Sequence, residues 1–295
     1  MNCPICDTQH RSYPFRCARL ATDNPDFKTY LQKSWMQIML ESIPTPNLTD
    51  EEETYITLFC EGDGSLCIDR RPQNDYPKII YTQNEREVLD HIHNLVNLGN
   101  VSPDKKGWRL QINGRECFPL LKIFSRHTAS KQFLDKLNTL NEMFSLSHTV
   151  QHPIDVNGLT GFWDAEGSSE FTGSLVISTS QKDREILDII VETFEGNVTP
   201  CDDYFSWNLS GEKARKLALE LLSRSHHPTK RAQLYENLYP SQEVINKVLT
   251  YHREHYQQNK ESIKEQHRVY DKQQRLLTKT YKELTSGQAS ILQNL

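Results

Sequence analysis

Two short stretches of this chain carry acid, small residue, acid and glycine in the same order: Glu61-Gly62-Asp63-Gly64 and Asp164-Ala165-Glu166-Gly167. Carboxylates are hard oxygen ligands, and one or two of them suffice for Mg2+, which keeps several of its waters. An ion held this way activates a water and offsets charge on a leaving oxygen. One such stretch alone is equally an ordinary turn that stops a helix. A second constellation opens the chain. Cys3, Cys6, His10 and Cys17 resemble a zinc knuckle, since three thiolates and one imidazole close a tetrahedral structural Zn2+ site. Free thiols on a frayed terminus are the other reading of the same residues. Cys60, Cys67, Cys117 and Cys201 stand apart from one another and read as core residues.

The acidic stretches sit inside a duplicated unit. Gly64, Gln83, Gly99, Gly114 and Lys131 are separated by 19, 16, 15 and 17 positions. Gly167, Gln181, Gly196, Gly211 and Lys230 follow in the same order at 14, 15, 15 and 19. Five landmarks in one order at nearly equal spacing mark a repeat.

Within each copy the hydrophobic period changes as the elements must. Ile56 to Gly62 and Leu159 to Ala165 are apolar runs suited to a short buried helix stopped by glycine. Ser65 to Arg71, Lys78 to Gln83, Glu170–Phe171 and Leu175 to Thr179 read as strands. Val88, Leu89, Ile92, Leu95 and Val96 have helical spacing, as do Ile186, Leu187, Ile189, Ile190 and Phe194. Trp108, Leu110 and Ile112 alternate with Arg109, Gln111 and Asn113; Phe205, Trp207 and Leu209 alternate with Ser206, Asn208 and Ser210. Such alternation gives a strand with one polar face. The expected fold class is α+β, two pseudo-symmetric αββαββα units. The expected divisions are an N-terminal module and helix over 1–53, the two units over 54–150 and 151–240, and a helical extension over 241–295. Residues 25–42 carry Phe27, Leu31, Trp35 and Ile38 on one stripe, a helix that packs on a core.

Leu159-Thr160-Gly161-Phe162-Trp163-Asp164-Ala165-Glu166-Gly167 resembles the LAGLIDADG motif of homing endonucleases, and Ile56-Thr57-Leu58-Phe59-Cys60-Glu61-Gly62-Asp63-Gly64 is a looser copy. The resemblance covers about residues 54–240. It implies two motif helices packed at the centre of a pseudo-two-fold pair whose sheets form a saddle on double-stranded DNA. It further implies that Asp63 and Glu166 bind Mg2+ together with the backbone carbonyls of Gly62 and Ala165, with Ca2+ as a substitute that does not support cleavage. Gln83 and Gln181 fall where the family orients water, and Lys131 and Lys230 near its basic residue that stabilises phosphate charge. His127 and His226 each precede that lysine by four residues and read as structural or phosphate contacts. In the first copy Leu58 replaces the small residue that Gly161 supplies in the second, which predicts helices held apart on one side.

Recognition of base edges and phosphates would fall to Arg70, Arg71, Lys78, Arg109, Gln111 and Asn113 in one unit and to Ser206 and Asn208 in the other. The formal net charge of −5 argues against a chain that binds polyanions by bulk charge alone. The charge is segregated: residues 151–240 carry 14 acids against 8 bases, whereas residues 241–295 carry 6 against 9. That extension either lies on the body or reaches a polyanion. No run is long and apolar enough for a membrane span, and seven cysteines at uneven spacing suit a reducing compartment. The expectation is an intracellular, nucleoid-associated monomer, with an organelle or mobile-element origin as the alternative. A metal-dependent, site-specific DNA endonuclease is the function the resemblance implies. An intron maturase that binds RNA, or a nuclease-dead DNA-binding regulator, would use the same fold.

Overall fold

The computed structural model describes residues 43–70, 75–144 and 146–293. Cys3, Cys6, His10, Cys17, Arg71 and the helix expected over 25–42 lie outside the described residues. The chain divides into two units, one ending at Tyr239 and one running from Pro240.

The larger unit contains both repeats. The first runs α1 (Asp50–Asp63), β1 (Gly64–Arg70), β2 (Asp75–Gln83), α2 (Arg86–Val96), β3 (Asn100–Asp104), β4 (Gly107–Asn113), α3 (Cys117–His127) and α4 (Lys131–Met143). The second runs α5 (Val156–Glu166), β5 (Gly167–Phe171), β6 (Leu175–Gln181), α6 (Arg184–Phe194), β7 (Asn197–Cys201), β8 (Tyr204–Ser210), α7 (Gly211–Arg224) and α8 (Pro228–Leu238). Each repeat is the expected αββαββα unit with one further helix, α4 or α8, closing it. Each has its own four-stranded antiparallel sheet, ordered β1-β2-β4-β3 and β5-β6-β8-β7. The duplication reaches surface detail: Arg86 pairs with Asp90 at 3.0 Å and lies over Trp108, as Arg184 pairs with Asp188 at 3.1 Å and lies over Phe205.

Helix α1 starts a turn and a half earlier than its apolar run suggests. Thr49 and Glu52 form a reciprocal capping box, and Asp50, Glu51, Glu52 and Glu53 fill the first turn, where carboxylates favour the helix dipole. Asp155 caps α5 by accepting the Gly158 N–H at 2.7 Å.

One apolar core fills the first repeat around Ile56, Phe59, Ile79, Leu89, Leu110 and Phe124, and a second fills the other around Leu159, Phe162, Ile177, Leu187, Trp207 and Leu221. Three residues cross over. Leu58 of α1 and Ala129, just before α4, belong to the second core and Ala165 of α5 to the first. The paired helices α1 and α5 therefore form the seam that joins the cores. Leu58 does not hold them apart, contrary to expectation. It is 1% exposed and faces Gly158, where an added Cβ would stand 3.2 Å from Leu58 Cγ. At Gly161 the α5 backbone meets the α1 backbone directly, and a Cβ there would be 2.2 Å from the Tyr55 carbonyl oxygen. Tyr55 and Leu58 on one helix are accommodated by glycines on the other.

The second unit contributes α9 (Gln242–Gln293), 52 residues long. Among its described residues Val244, Leu249, Tyr251, Tyr256 and Tyr270 are exposed. No helix among the described residues is long and apolar enough to cross a membrane.

Candidate metal and nucleic-acid site

Each paired helix ends on its acid and runs without a loop into a strand: Asp63 into Gly64, Glu166 into Gly167. Space, not backbone twist, demands glycine at these junctions. A Cβ on Gly64 would lie 2.4 Å from the Cys60 carbonyl, and one on Gly167 would lie 2.1 Å from the Trp163 ring. The abrupt junction fixes each carboxylate at the seam. There Gly62 allows close approach, since a Cβ at 62 would be 2.5 Å from that of Ala165 and 3.2 Å from Glu166 Cγ.

The electrostatics record the crowding. The Asp63 carboxyl is pushed up to about 7, first by burial and next by the Glu166 charge, with Lys230 and Gln83 pulling the other way. Burial raises Glu166 as well, and Lys230 opposes it. A negative centre compensated by one ammonium group suits a divalent cation.

The other acid of each motif has a different task. Glu61 accepts the Ala129 and Ser130 N–H groups, each at 2.8 Å, at the start of α4. Asp164 accepts Tyr55 Oη–H at 2.8 Å, the Ser225 hydroxyl and the His226 N–H at 2.8 Å, just before α8. These carboxylates satisfy backbone donors that the turns would otherwise bury unpaired. They bind each motif helix to the last helix of its repeat. Burial holds both above the usual carboxylate range, Glu61 at about 7.

Gln83 and Gln181 share an anchor. Each side-chain carbonyl accepts the N–H of the next residue, Asn84 or Lys182, at 2.9 Å. Among the described residues the first alone then reaches an acid, with Gln83 Nε2 donating to Asp63 Oδ2 at 2.6 Å.

The lysines are not equivalent. Lys230 Nζ donates to the Trp163, Asp164 and Ala165 carbonyls at 3.1, 2.8 and 2.7 Å, closing the C-terminal end of α5. Burial lowers its pKa, while Asp63, Asp164 and Glu166 favour its charged form. Lys131 is exposed at the first position of α4, and among the described residues no hydrogen bond or ion pair joins it to either acid. The helix caps explain the difference. Ser130 and His227 cap α4 and α8 and stand equally far beyond Gly114 and Gly211. Lys131 therefore corresponds to Pro228, and Lys230 corresponds to the buried Phe133.

The metal fit can be read from the donors. Asp63 and Glu166 supply converging carboxylates, and Gly62, the residue before Asp63, lies against Ala165 and Glu166. The Ala165 carbonyl already accepts from Lys230, so that lysine must shift for Ala165 to serve as a ligand. At the far end of α1 the ligand atoms of Asp50, Glu53 and His127 also gather within 4.8 Å. Glu53 there is bound by Arg126 at 2.5 Å and His127 at 3.0 Å, and Thr54 Oγ1 lies 3.1 Å from His127 Nδ1. That cluster is already compensated. His226 stacks on His91 with centroids 3.5 Å apart, and Tyr55 meets both rings edge-on.

Alternation separates the candidate readers. Leu110 and Ile112 point into the core, so Arg109, Gln111 and Asn113 share the outer sheet face. Asn113 pairs with Lys78, Gln111 lies between Ile80 and Asn100, and Arg109 lies between Thr82 and Ser102. Arg109 is tied to Asp104 at 2.7 Å. Arg70, at the end of β1, shares parity with Leu66 and Ile68 and so falls on the opposite side. In the second sheet Ser206 and Asn208 share a face with Ser178, Ser180, Asn197 and Thr199, all neutral hydroxyl or amide side chains.

No family model matches the chain, and no curated protein matches it. Solved structures do. It is similar to the LAGLIDADG meganuclease I-AabMI bound to uncleaved DNA, at 14% identity over 65% of this chain and 99% of that one, with a TM-score of 0.42. It is similar to the LAGLIDADG homing endonuclease I-GzeII in complex with its DNA target, at 14% identity over 66% and 96%, with a TM-score of 0.45. Mesophilic variants of the homing endonuclease I-DmoI match at 14% identity over 59% and 92%, with a TM-score of 0.38. The motif that the sequence resembles is the one named for the first two.

Proposed function

We propose that this chain is a divalent-metal-dependent endonuclease that cuts double-stranded DNA at a specific site. One observation carries the reading. Two carboxylates from duplicated motifs, Asp63 and Glu166, converge at the seam of two helices in backbone contact, and each helix feeds its own antiparallel sheet. Cutting both strands needs two scissile phosphates served from one centre, and a paired centre with two flanking sheets is suited to that geometry.

Asp63 and Glu166, with the Gly62 carbonyl, would hold Mg2+, which when bound supplies an activated water and offsets charge at the leaving oxygen. The chain's own residues prepare the rest. Gln83 fixes the Asp63 carboxylate by its 2.6 Å hydrogen bond. Lys230 brings positive charge to a centre that excludes much of the solvent, where a fixed cation acts more strongly than in water. Outside the centre, Lys78, Arg109, Gln111 and Asn113 on one sheet and Ser206 and Asn208 on the other face outward to meet phosphates and base edges. The rows of Arg109 and Ser206 lie nearest the acid end of each sheet; the row of Lys78 and Asn113 lies about 13 Å further along at the usual strand rise.

The test is substitution of each acid. Asp63→Asn and Glu166→Gln keep shape while removing the charge that draws the metal. Either should abolish double-strand cleavage of a randomised duplex library in Mg2+, with DNA affinity in Ca2+ held within about tenfold, or ~1.4 kcal/mol. A wild-type protein that cuts no duplex and binds structured intron RNA tightly would replace this reading with a maturase. Cleavage that survives the double substitution would move the catalytic acids elsewhere.

A further inference from the structure

The two N-cap positions at the starts of α2 and α6 have diverged in use. Asp183 caps α6 in the ordinary way, accepting the Glu185 N–H at 3.0 Å. Its counterpart Glu85 makes no side-chain cap bond at α2. The longer side chain crosses from the first repeat to the second and meets the first turn of α8. There it accepts the Thr229 hydroxyl and, at 3.4 Å, the Thr229 N–H, and it lies 3.4 Å from His227 Nδ1. A carboxylate at this place is favoured twice, by unpaired N–H groups of the helix start and by the dipole. His227 completes the turn by accepting the Lys230 N–H at 3.3 Å.

The residue next to Thr229 is Lys230. A lysine ammonium sits on a flexible four-carbon stem that costs rotamer entropy to hold. It can stay on the three carbonyls at the end of α5 only if the backbone that launches it is fixed. Among the described residues of the first repeat no lysine takes this place; Phe133 holds the corresponding position and contributes to the core. Glu85, Thr229 and Lys230 thus form a chain of contacts from one repeat to the acids at the seam.

We infer that Glu85 is a positioning residue: by clamping the first turn of α8 it holds the Lys230 ammonium at the Asp63–Glu166 centre. Its catalytic consequence rests on the nuclease reading above; its structural part does not.

The experiment uses the full-length protein with Glu85→Ala, Glu85→Gln and Thr229→Val. The rate at which acetic anhydride labels Lys230 is read by peptide mass spectrometry, with the other lysines as internal controls. All three variants should label Lys230 several-fold faster than wild type, with Glu85→Gln least affected because its carbonyl still accepts from Thr229. If Glu85→Ala fails to fold, the two milder changes carry the measurement. Unchanged labelling in folded variants overturns the proposal. In the cleavage assay Glu85→Gln should lower kcat by about tenfold, less than the ~100-fold of a 1 Å misplacement because its carbonyl still accepts from Thr229, and leave KM near its wild-type value. A raised KM with unchanged kcat would make Glu85 a DNA contact and overturn the positioning role. If the wild type does not cut DNA, the nuclease reading fails while the labelling result still decides this one.

Discussion

Alanine at Gly161 should damage the seam far more than alanine at Gly158, although the two glycines lie one turn apart on the same helix. At 161 the new Cβ would stand 2.2 Å from the Tyr55 carbonyl oxygen and 3.0 Å from its carbon. Both are backbone atoms, so no side chain can swing away and the helices must part by about 1 Å to restore ordinary contact. Overpacking of this kind costs roughly 1–3 kcal/mol, and a backbone-on-backbone clash belongs at the upper end. The better helix propensity of alanine returns about 1 kcal/mol. At 158 the Cβ would meet Thr54 Cγ2 at 3.0 Å, Leu58 Cγ at 3.2 Å and Asp155 Oδ1 at 3.3 Å, all side-chain atoms that need yield by only a few tenths of an ångström. There the propensity gain and the mild crowding nearly cancel. Gly161→Ala should therefore lose about 2 kcal/mol relative to Gly158→Ala, or about 4–8 °C in Tm for a body of this size. Thermal and urea denaturation of the two variants, side by side, measure it. Equal stability would show that the seam is looser than its geometry indicates. Gly161→Ala should also cut DNA more slowly than its folded fraction accounts for, because parting the helices separates Asp63 from Glu166.

Two further outcomes follow from the acids. Asp63 titrates higher in the folded protein, at about 7, than the ordinary 3.8. Its proton therefore favours the fold fully at acid pH, and that contribution is lost as pH rises from about 4 through 7. Without metal, Asp63→Asn should melt above wild type at pH 8 and close to it at pH 4, and Mg2+ should narrow the gap; a variant that melts lower at pH 8 contradicts the assigned repulsion. Asp164→Asn should behave in the opposite sense, since its carboxylate accepts three donors that an amide cannot all satisfy. A loss of about 1–3 kcal/mol is expected in denaturant unfolding, and no loss would remove Asp164 from its structural role.

The repeat, the two acids and the order of the elements were legible because each has a local cause. Helical and alternating periods report which face is buried, and the marker glycines stand where the chain needs room or a left-handed turn: Gly114 and Gly211, at the entry to the next helix, have φ of +60° and +72°. The early start of α1 was also present, as Thr49 and Glu52, but an apolar criterion passes over a polar first turn. The lysines show a different limit. Matching them by residue type paired Lys131 with Lys230, whereas counting from Gly114 and Gly211 to the helix caps pairs Lys230 with Phe133. The contact of Glu85 with α8 across the repeats had no sequence signal. Nothing local distinguishes Glu85 from Asp183, and the extra methylene has meaning only once α8 is known to lie within its reach.

The seam between α1 and α5 also limits which halves can associate. Tyr55 and Leu58 project from one helix where Gly158 and Gly161 leave room on the other. Two copies of α1 facing each other would set bulk against bulk, and two copies of α5 would set glycine against glycine without the Tyr55 and Leu58 side chains that this seam buries. A symmetric ancestor assembled from identical halves must use one surface that complements itself. This chain no longer has such a surface on either half, so each half recognises its sister in preference to its own kind. The covalent tether thereby became more than a convenience: it keeps together two partners whose shapes now fit only each other, and it leaves each sheet free to diverge along its own course.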